Sequence, residues 1–150
     1  MKLYKATVSV RGSKLTSYLQ SGVLASAEVA FKGEGGLVPT DKVNLIAADG
    51  DQGPAAWIQI LRFDEAKNYV VTHEGWINSG TSSLSSPTGQ NAVEATVEAV
   101  EAPNAETAKC HEKVTFGTFA CCTAQGPNCT VTCCNSCCSI TSCPGATCCA

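Results

Sequence analysis

The cysteines of this chain are confined to its C-terminal end. No cysteine occurs before Cys110, and ten of the eleven lie from Cys121 onward. Apart from those thiols, no ionisable side chain follows Lys113. This change in composition predicts two parts, a domain of residues 1–109 and a cysteine-rich, disulfide-linked arm of residues 110–150.

Most of these cysteines occur in adjacent pairs, which we call doublets: Cys121-Cys122, Cys133-Cys134, Cys137-Cys138 and Cys148-Cys149. A disulfide between neighbouring residues is strained, and successive side chains of an extended strand point to opposite faces. Each doublet is therefore expected to send one thiol inward and one outward. Because eleven is an odd number, complete oxidation requires a thiol from another molecule. The predicted disulfide or cross-link residues are Cys110, Cys121, Cys122, Cys129, Cys133, Cys134, Cys137, Cys138, Cys143, Cys148 and Cys149.

The arm has little apolar surface with which to fold, since Val131 and Ile140 are its main large apolar residues. Ordering one residue costs about 1.5 kcal/mol of conformational entropy, and one disulfide contributes about 2–4 kcal/mol. Disulfides, metal bonds or packing against another molecule are therefore needed to fix the shape of the arm.

The first part of the chain has the alternating pattern of β-strands. Between residues 3 and 10, Tyr4, Ala6, Val8 and Val10 lie on one side of a predicted strand. Further strands are predicted at residues 23–31, 43–47, 56–63, 68–72, 92–100 and 113–120. The pattern predicts a mainly β fold, a sandwich- or barrel-like antiparallel domain with a cysteine-rich, loop-rich C-terminal arm.

Several segments between these strands are less regular. We expect residues 14–22 to form a loop or short helical turn, and glycines and Pro39 predict turns over residues 32–41. Residues 49–54 predict a tight turn, and residues 78–91 a long polar loop. Residues 92–100 could also be helical, but Val and Thr are stiff in helices, which favours a strand. Trp57 and Trp76 are expected in or beside the core.

Two other interpretations of the arm remain open. Cys134 and Cys137 form a C-x-x-C motif, which could build a tetrahedral zinc site with Cys143 and Cys148, or with Cys110 and His111. The first set would leave seven cysteines unexplained, and the second would leave eight.

The second interpretation concerns the stretch NCTVTCCNSCCSITSC, which resembles the core of a lanthipeptide or thiazole-containing peptide. The resemblance implies a ribosomally made precursor whose tail is modified, with thiolates attacking dehydrated Ser or Thr. From Cys121 onward there are ten cysteines but eight Ser or Thr residues, so complete pairing fails.

The sequence contains no motif for catalysis or for cofactor binding. The C-x-x-C motif does not open a helix, so a redox enzyme is not expected. His73 could be a base, but an exposed histidine at a strand end is the favoured interpretation. His111 is the better metal candidate, although a solvated side chain is favoured there too. Asp49 and Asp51 begin like a calcium loop without its later ligands, so a plain turn is expected. We therefore predict no catalytic residues, no resident metal and no cofactor.

Charge and hydropathy limit the possible partners. The net charge is −3 and the ten basic residues are scattered, which predicts no nucleic-acid partner. No apolar run is long enough to span a bilayer, and the N-terminus does not have the pattern of a signal peptide. We expect a non-enzymatic structural subunit that self-assembles with other copies into a disulfide-stabilised filament, sheath or coat. It is expected outside the cell or on a particle surface, with no small-molecule substrate.

Overall fold

Every regular element in the computed structural model is a β-strand wherever the chain is described. The described residues are 2–10, 13–19, 21–22, 24–33, 36–66, 68–101, 112–115, 121–125, 130–134, 137–139 and 147–149; side chains are described at 4–10, 14–19, 21–22, 24–30, 41–66 and 68–100. Within these ranges there is no helix, and hence none that could cross a membrane. The predicted mainly β, antiparallel fold is confirmed for this part of the chain.

Residues 2–101 form two antiparallel sheets of four strands each. The first sheet has the order β2-β1-β8-β7, and the second has the order β3-β4-β5-β6. The strands of the first sheet are β1 (Lys2–Val10), β2 (Ser13–Leu19), β7 (Ser83–Leu84) and β8 (Val93–Glu101). Those of the second are β3 (Ala25–Gly33), β4 (Gly36–Gly50), β5 (Gly53–Asp64) and β6 (Asn68–Asn78).

Five short strands from the last third of the chain continue both sheets. They are β9 (Glu112–Thr115), β10 (Cys121–Gln125), β11 (Thr130–Cys134), β12 (Cys137–Ser139) and β13 (Thr147–Cys149). Strands β9, β12 and β13 follow one another outward from β2, while β10 and β11 follow one another outward from β3. Each sheet therefore ends in a cysteine-bearing hairpin.

The core lies between the two sheets. In β1, Tyr4, Ala6, Val8 and Val10 are buried, as the alternation predicts. Opposite them, the second sheet contributes a set that includes Val29, Val43, Leu45, Ile58 and Ile60. Burial of these side chains removes apolar surface from water at about 25 cal/mol per Å², which makes this shared core the main source of stability in residues 4–100.

The expected loop or helical turn over residues 14–22 is wrong for residues 14–19, which belong to β2. Leu15 and Leu19 fit both a helical and an alternating spacing, but β1 supplies a partner strand in which Val8 faces Leu15. Tyr18 lies on the opposite face of β2, opposite Lys5. Pairing with a neighbouring strand therefore decides a pattern that was ambiguous locally.

The turns predicted over residues 32–41 are also mostly wrong, because β3 and β4 run through them. Pro39 faces Ala30 at a register shift between Val29 and Ala30. A bulge is one of the few places in a sheet where proline, which lacks an N–H donor, is tolerated. The proline therefore marks a bulge here and does not end the strand.

Other predictions are confirmed. Residues 51–52 form the turn between β4 and β5, and residues 93–101 are a strand, with Ala95 opposite Val8. The loop of residues 79–92 is irregular only in part, because it contains β7. Leu84 of this strand is 1% exposed, and its Cδ1 atom lies 3.6 Å from where a Cβ on Gly75 would be.

Candidate functional site

Eight of the predicted cross-link residues lie in the described strands, with one whole doublet in each of β10, β11, β12 and β13. Cys110, Cys129, Cys143 and His111 lie outside the described residues. The backbone of all four doublets is therefore extended.

The strand register places each doublet opposite another doublet. In the hairpin of β10 and β11, Cys121 faces Cys134 and Cys122 faces Cys133. In the hairpin of β12 and β13, Cys137 faces Cys149 and Cys138 faces Cys148. The backbone thus brings cysteine positions together in four opposite pairs.

One pair in each hairpin continues a buried row of its sheet. Cys122 faces Val29, which has no exposed surface. Cys138 faces Val114, and Val114 faces Leu15, which is 1% exposed. Directly opposite residues of neighbouring strands share a face of a sheet, so these two pairs occupy register positions of the core face.

An apolar row crosses the solvent face of the second sheet. Ile46 faces Trp57, and Trp57 faces Trp76. Leu24 directly precedes Ala25, the residue of β3 that faces Leu45, the neighbour of Ile46. Leu24 and Trp76 are 59% and 60% exposed. The expectation that both tryptophans lie in or beside the core is therefore wrong, because Trp57 in β5 and Trp76 in β6 both occupy outward-facing positions. Trp57 is partly buried there.

A row of polar side chains runs beside the apolar row on the same face, two residues away along each strand. We call it the polar ladder. Ser26 Oγ donates to Asn44 Oδ1 at 2.6 Å. Asn44 Nδ2 donates to Gln59 Oε1 at 3.1 Å, and Gln59 Nε2 donates to Glu74 Oε1 at 2.7 Å. The ladder links all four strands and fixes the side chains beside the apolar row.

The other side of the apolar row is uncharged. Ala48 faces Ala55, and Ala55 faces Asn78, in the next outward-facing row. The three positions form what we call the uncharged strip. The apolar row therefore lies between the polar ladder and a strip of small or neutral side chains.

A buried carboxylate lies at the far end of the same sheet. Arg62 Nε lies 3.5 Å from Asp41 Oδ1, and the Asp41 side chain is fully buried. Nearby, Tyr69 donates its hydroxyl to Glu28 Oε1 at 3.5 Å. Burial raises the pKa of Tyr69 above its usual 10.0, and the negative charge of Glu28 adds to the effect. These contacts link β4 to β5 and β3 to β6 at this end of the sheet.

His73 is buried, which corrects the expectation of an exposed histidine at a strand end. It lies inside β6 at 4% exposure. Its Nε2 is 2.8 Å from the carbonyl oxygen of Asn91, so this nitrogen carries the hydrogen. Its Nδ1 is 3.0 Å from Thr72 Oγ1. Nε2 therefore ties β6 to the loop of residues 79–92, and Nδ1 contacts the neighbouring residue of the same strand. Buried with both ring nitrogens in contact, His73 does not suit the role of a catalytic base.

The remaining candidates are turn and surface features. Asp49 and Asp51 are exposed at the β4–β5 turn, as expected. Among residues whose side chains are described, which exclude the cysteines, no group of three His, Cys, Asp or Glu side chains could hold a metal ion. A shallow depression of about 270 Å³ on the outside of the first sheet is lined by Lys5, Thr7, Thr96, Val97 and Glu98.

Comparison of the chain with known protein families, with curated proteins and with solved structures finds no match.

The sequence pattern did not predict the apolar row or the polar ladder. Six of the eight residues at 56–63 are apolar, so their composition does not reveal which of Trp57 and Ile58 faces solvent. Only the pairing of β5 with β4 and β6 assigns the two faces.

Proposed function

We propose that this chain is a non-enzymatic structural subunit that self-assembles into a disulfide-stabilised surface filament, sheath or coat. The apolar row on the second sheet is the observation that carries the proposal. Exposed apolar patches on soluble proteins mark interaction sites, and two large side chains here are more than half exposed. The hydrogen bonds of the polar ladder hold its own side chains in place beside the apolar row. Less side-chain entropy is therefore lost when a partner binds to this face.

A second copy of the same chain fits this face. A two-fold axis that runs along the apolar row, between two copies, stacks the row of one copy on the row of the other. The same rotation places the polar ladder of each copy over the uncharged strip of its partner. Glu74, the charged member of the ladder, then faces Asn78 and not another carboxylate. Apolar surface is buried without bringing like charges together.

A two-fold interface closes on itself as a dimer, so an extended assembly needs a second link. The cysteine-rich arm of residues 110–150, a division that remains a prediction, supplies this link in the proposal. With eleven cysteines, at least one thiol of a fully oxidised chain must bond another molecule. Disulfides persist in oxidising surroundings, which motivates the proposed location outside the cell or on a particle surface.

The test is to purify the full-length chain, oxidise it with a glutathione redox pair, and analyse it on non-reducing denaturing gels and by electron microscopy. The proposal expects a ladder of covalent oligomers that collapses to monomer on reduction, together with regular particles or fibres. A chain that remains monomeric on the gel after complete oxidation contradicts it.

Intact mass of the chain isolated from its source cells separates the two alternatives. A modified precursor would have lost one water per dehydrated Ser or Thr, and reductant would not restore that mass. A metal-thiolate protein would carry metal until acid or a chelator removed it. A mass that rises by two hydrogens per disulfide on reduction, and shows neither other change, supports the structural subunit.

A further inference from the structure

Both cysteine-bearing hairpins have the register that places the most cysteines opposite one another. The hairpin of β10 and β11 aligns two doublets, and that of β12 and β13 aligns the other two. A shift of one residue in either hairpin would leave a single opposite pair there. The backbone arrangement therefore specifies a connectivity that the cysteine spacing alone leaves open.

We propose that the four opposite pairs form cross-strand disulfides within one chain. The bridges are Cys121–Cys134, Cys122–Cys133, Cys137–Cys149 and Cys138–Cys148. Each forms when two thiols transfer two electrons to a low-molecular-weight disulfide such as oxidised glutathione. The oxidant leaves as two thiols that carry the two protons, through a mixed-disulfide intermediate.

Strand geometry allows these bridges and excludes the nearest alternatives. Opposite Cα atoms in antiparallel strands are about 4.5–5.5 Å apart, within the range of about 4.4–6.8 Å that a disulfide spans. A bridge inside a doublet is strained. A diagonal bridge such as Cys121 to Cys133 would join positions on opposite faces of the hairpin.

A zinc centre is the rival use of the same thiols, because the two hairpins lie close to one another. Structural zinc sites mostly take ligands in closely spaced pairs, two to four residues apart. Cys134 and Cys137 have that spacing, but in the register each of them faces a cysteine of its own hairpin, Cys121 and Cys149 respectively. This arrangement favours bridges that tie strand to strand.

The inference deepens the proposed function and rests on it for the oxidised state of the arm. The two ideas fail differently. A chain with these four bridges that never links to another copy contradicts the proposed function alone. A cross-linked chain whose bridges join other positions contradicts the pairing alone.

The first experiment uses two matched full-length variants in a C110S/C129S/C143S background, which leaves only the doublet cysteines. The first variant adds C122S/C133S, so that the opposite positions Cys121 and Cys134 remain in the first hairpin. The second adds C122S/C134S, so that Cys121 and Cys133 remain on opposite faces. Each is refolded with a glutathione redox pair, and free thiols are counted by alkylation and intact mass.

The in-register variant is expected to show no free thiol, and the out-of-register variant two. Equal labelling of the two variants overturns the pairing. Protection of thiols that depends on added zinc, and that a chelator reverses, also overturns it.

A second measurement on the unaltered chain avoids reliance on the folding of the variants. Cleavage after Asn128 and Asn135 separates the hairpins, and mass spectrometry of the unreduced fragments identifies the links. The doublet of β10 should be joined to the doublet of β11, and neither should be joined to the fragment of residues 136–150. Bridges between that fragment and β10 or β11 contradict the proposal.

Discussion

Arg62 lies with its Nε atom 3.5 Å from Oδ1 of Asp41, a carboxylate with no solvent-exposed surface. The Arg62 side chain is 37% exposed, so its own desolvation is incomplete. A buried carboxylate depends on such a partner, because an unpaired charge in the interior is costly.

The first prediction follows from this pair. Arg62→Leu is expected to lower the free energy of unfolding by about 2–3 kcal/mol, since it leaves the buried charge with less compensation. The double variant D41N/R62L should recover part of the loss, because the uncompensated charge is gone. Urea denaturation of the reduced chain measures both. If R62L loses no measurable stability, or if the double variant is less stable than R62L, Arg62 does not compensate the charge of Asp41.

The second prediction concerns the loop of residues 79–92. Leu84→Ala is expected to cost about 2–4 kcal/mol of stability, as large-to-small changes do in packed cores. It should also make the loop a site of early proteolytic cleavage. Ser83→Ala, at the exposed neighbouring position, is the matched control and should change little. If the two variants are equally stable and equally resistant to protease, the loop is not anchored by Leu84.

The third prediction is a pH dependence. Burial, reinforced by the charge and hydrogen bond of Glu28 and by the charge of Asp41, raises the pKa of Tyr69 above 10.0. The unfolded chain therefore ionises first as pH rises. The stabilisation is complete below pH 10 and is lost as pH climbs from there through the raised pKa of the folded state.

Thermal unfolding between pH 9 and 11 tests this. Tyr69→Phe should weaken the fall in melting temperature above pH 10, and Glu28→Gln should do so in part. Equal falls in the wild type and Y69F would show that Tyr69 does not contribute.

The fourth prediction concerns the order in which bridges open. Cys122 and Cys138 occupy register positions of the core face, opposite Val29 and Val114. Bridges there should resist native-state reduction longer than those of Cys121 and Cys137, since they open only when the sheets separate locally. A phosphine time course with alkylation and fragment mapping gives the order. If the bridges of Cys122 and Cys138 are reduced first, their assignment to the core face is wrong.

Much of the fold could be predicted where one face of a strand is apolar and the other polar. Tyr4 to Val10 alternate cleanly, and the burial of β1 follows them. The alternation fails at bulges. The register of β5 against β6 shifts between Ile60 and Leu61. As a result, Ile60 faces His73 and Leu61 faces Val71. Thr72 becomes the extra residue, and both Thr72 and His73 are buried. Strict alternation would have placed one of them outside.

The candidate site was predictable only in part for a related reason. The doublets are visible in the sequence. Which doublet faces which depends on strand register, and the same holds for the solvent-facing position of Trp76. Register is set by partner strands that are distant in sequence, so these relationships required the structure.

Sedimentation velocity of the reduced chain tests the central claim most directly, because it isolates the apolar row from the thiols. The wild type and the control Q52S/E94S, altered at two exposed positions, should form a dimer whose fraction grows with concentration. The variant L24S/W76S should remain monomeric while keeping the sheet signal in circular dichroism. A monomeric wild type at every concentration, or a variant that associates as the wild type does, would contradict the account.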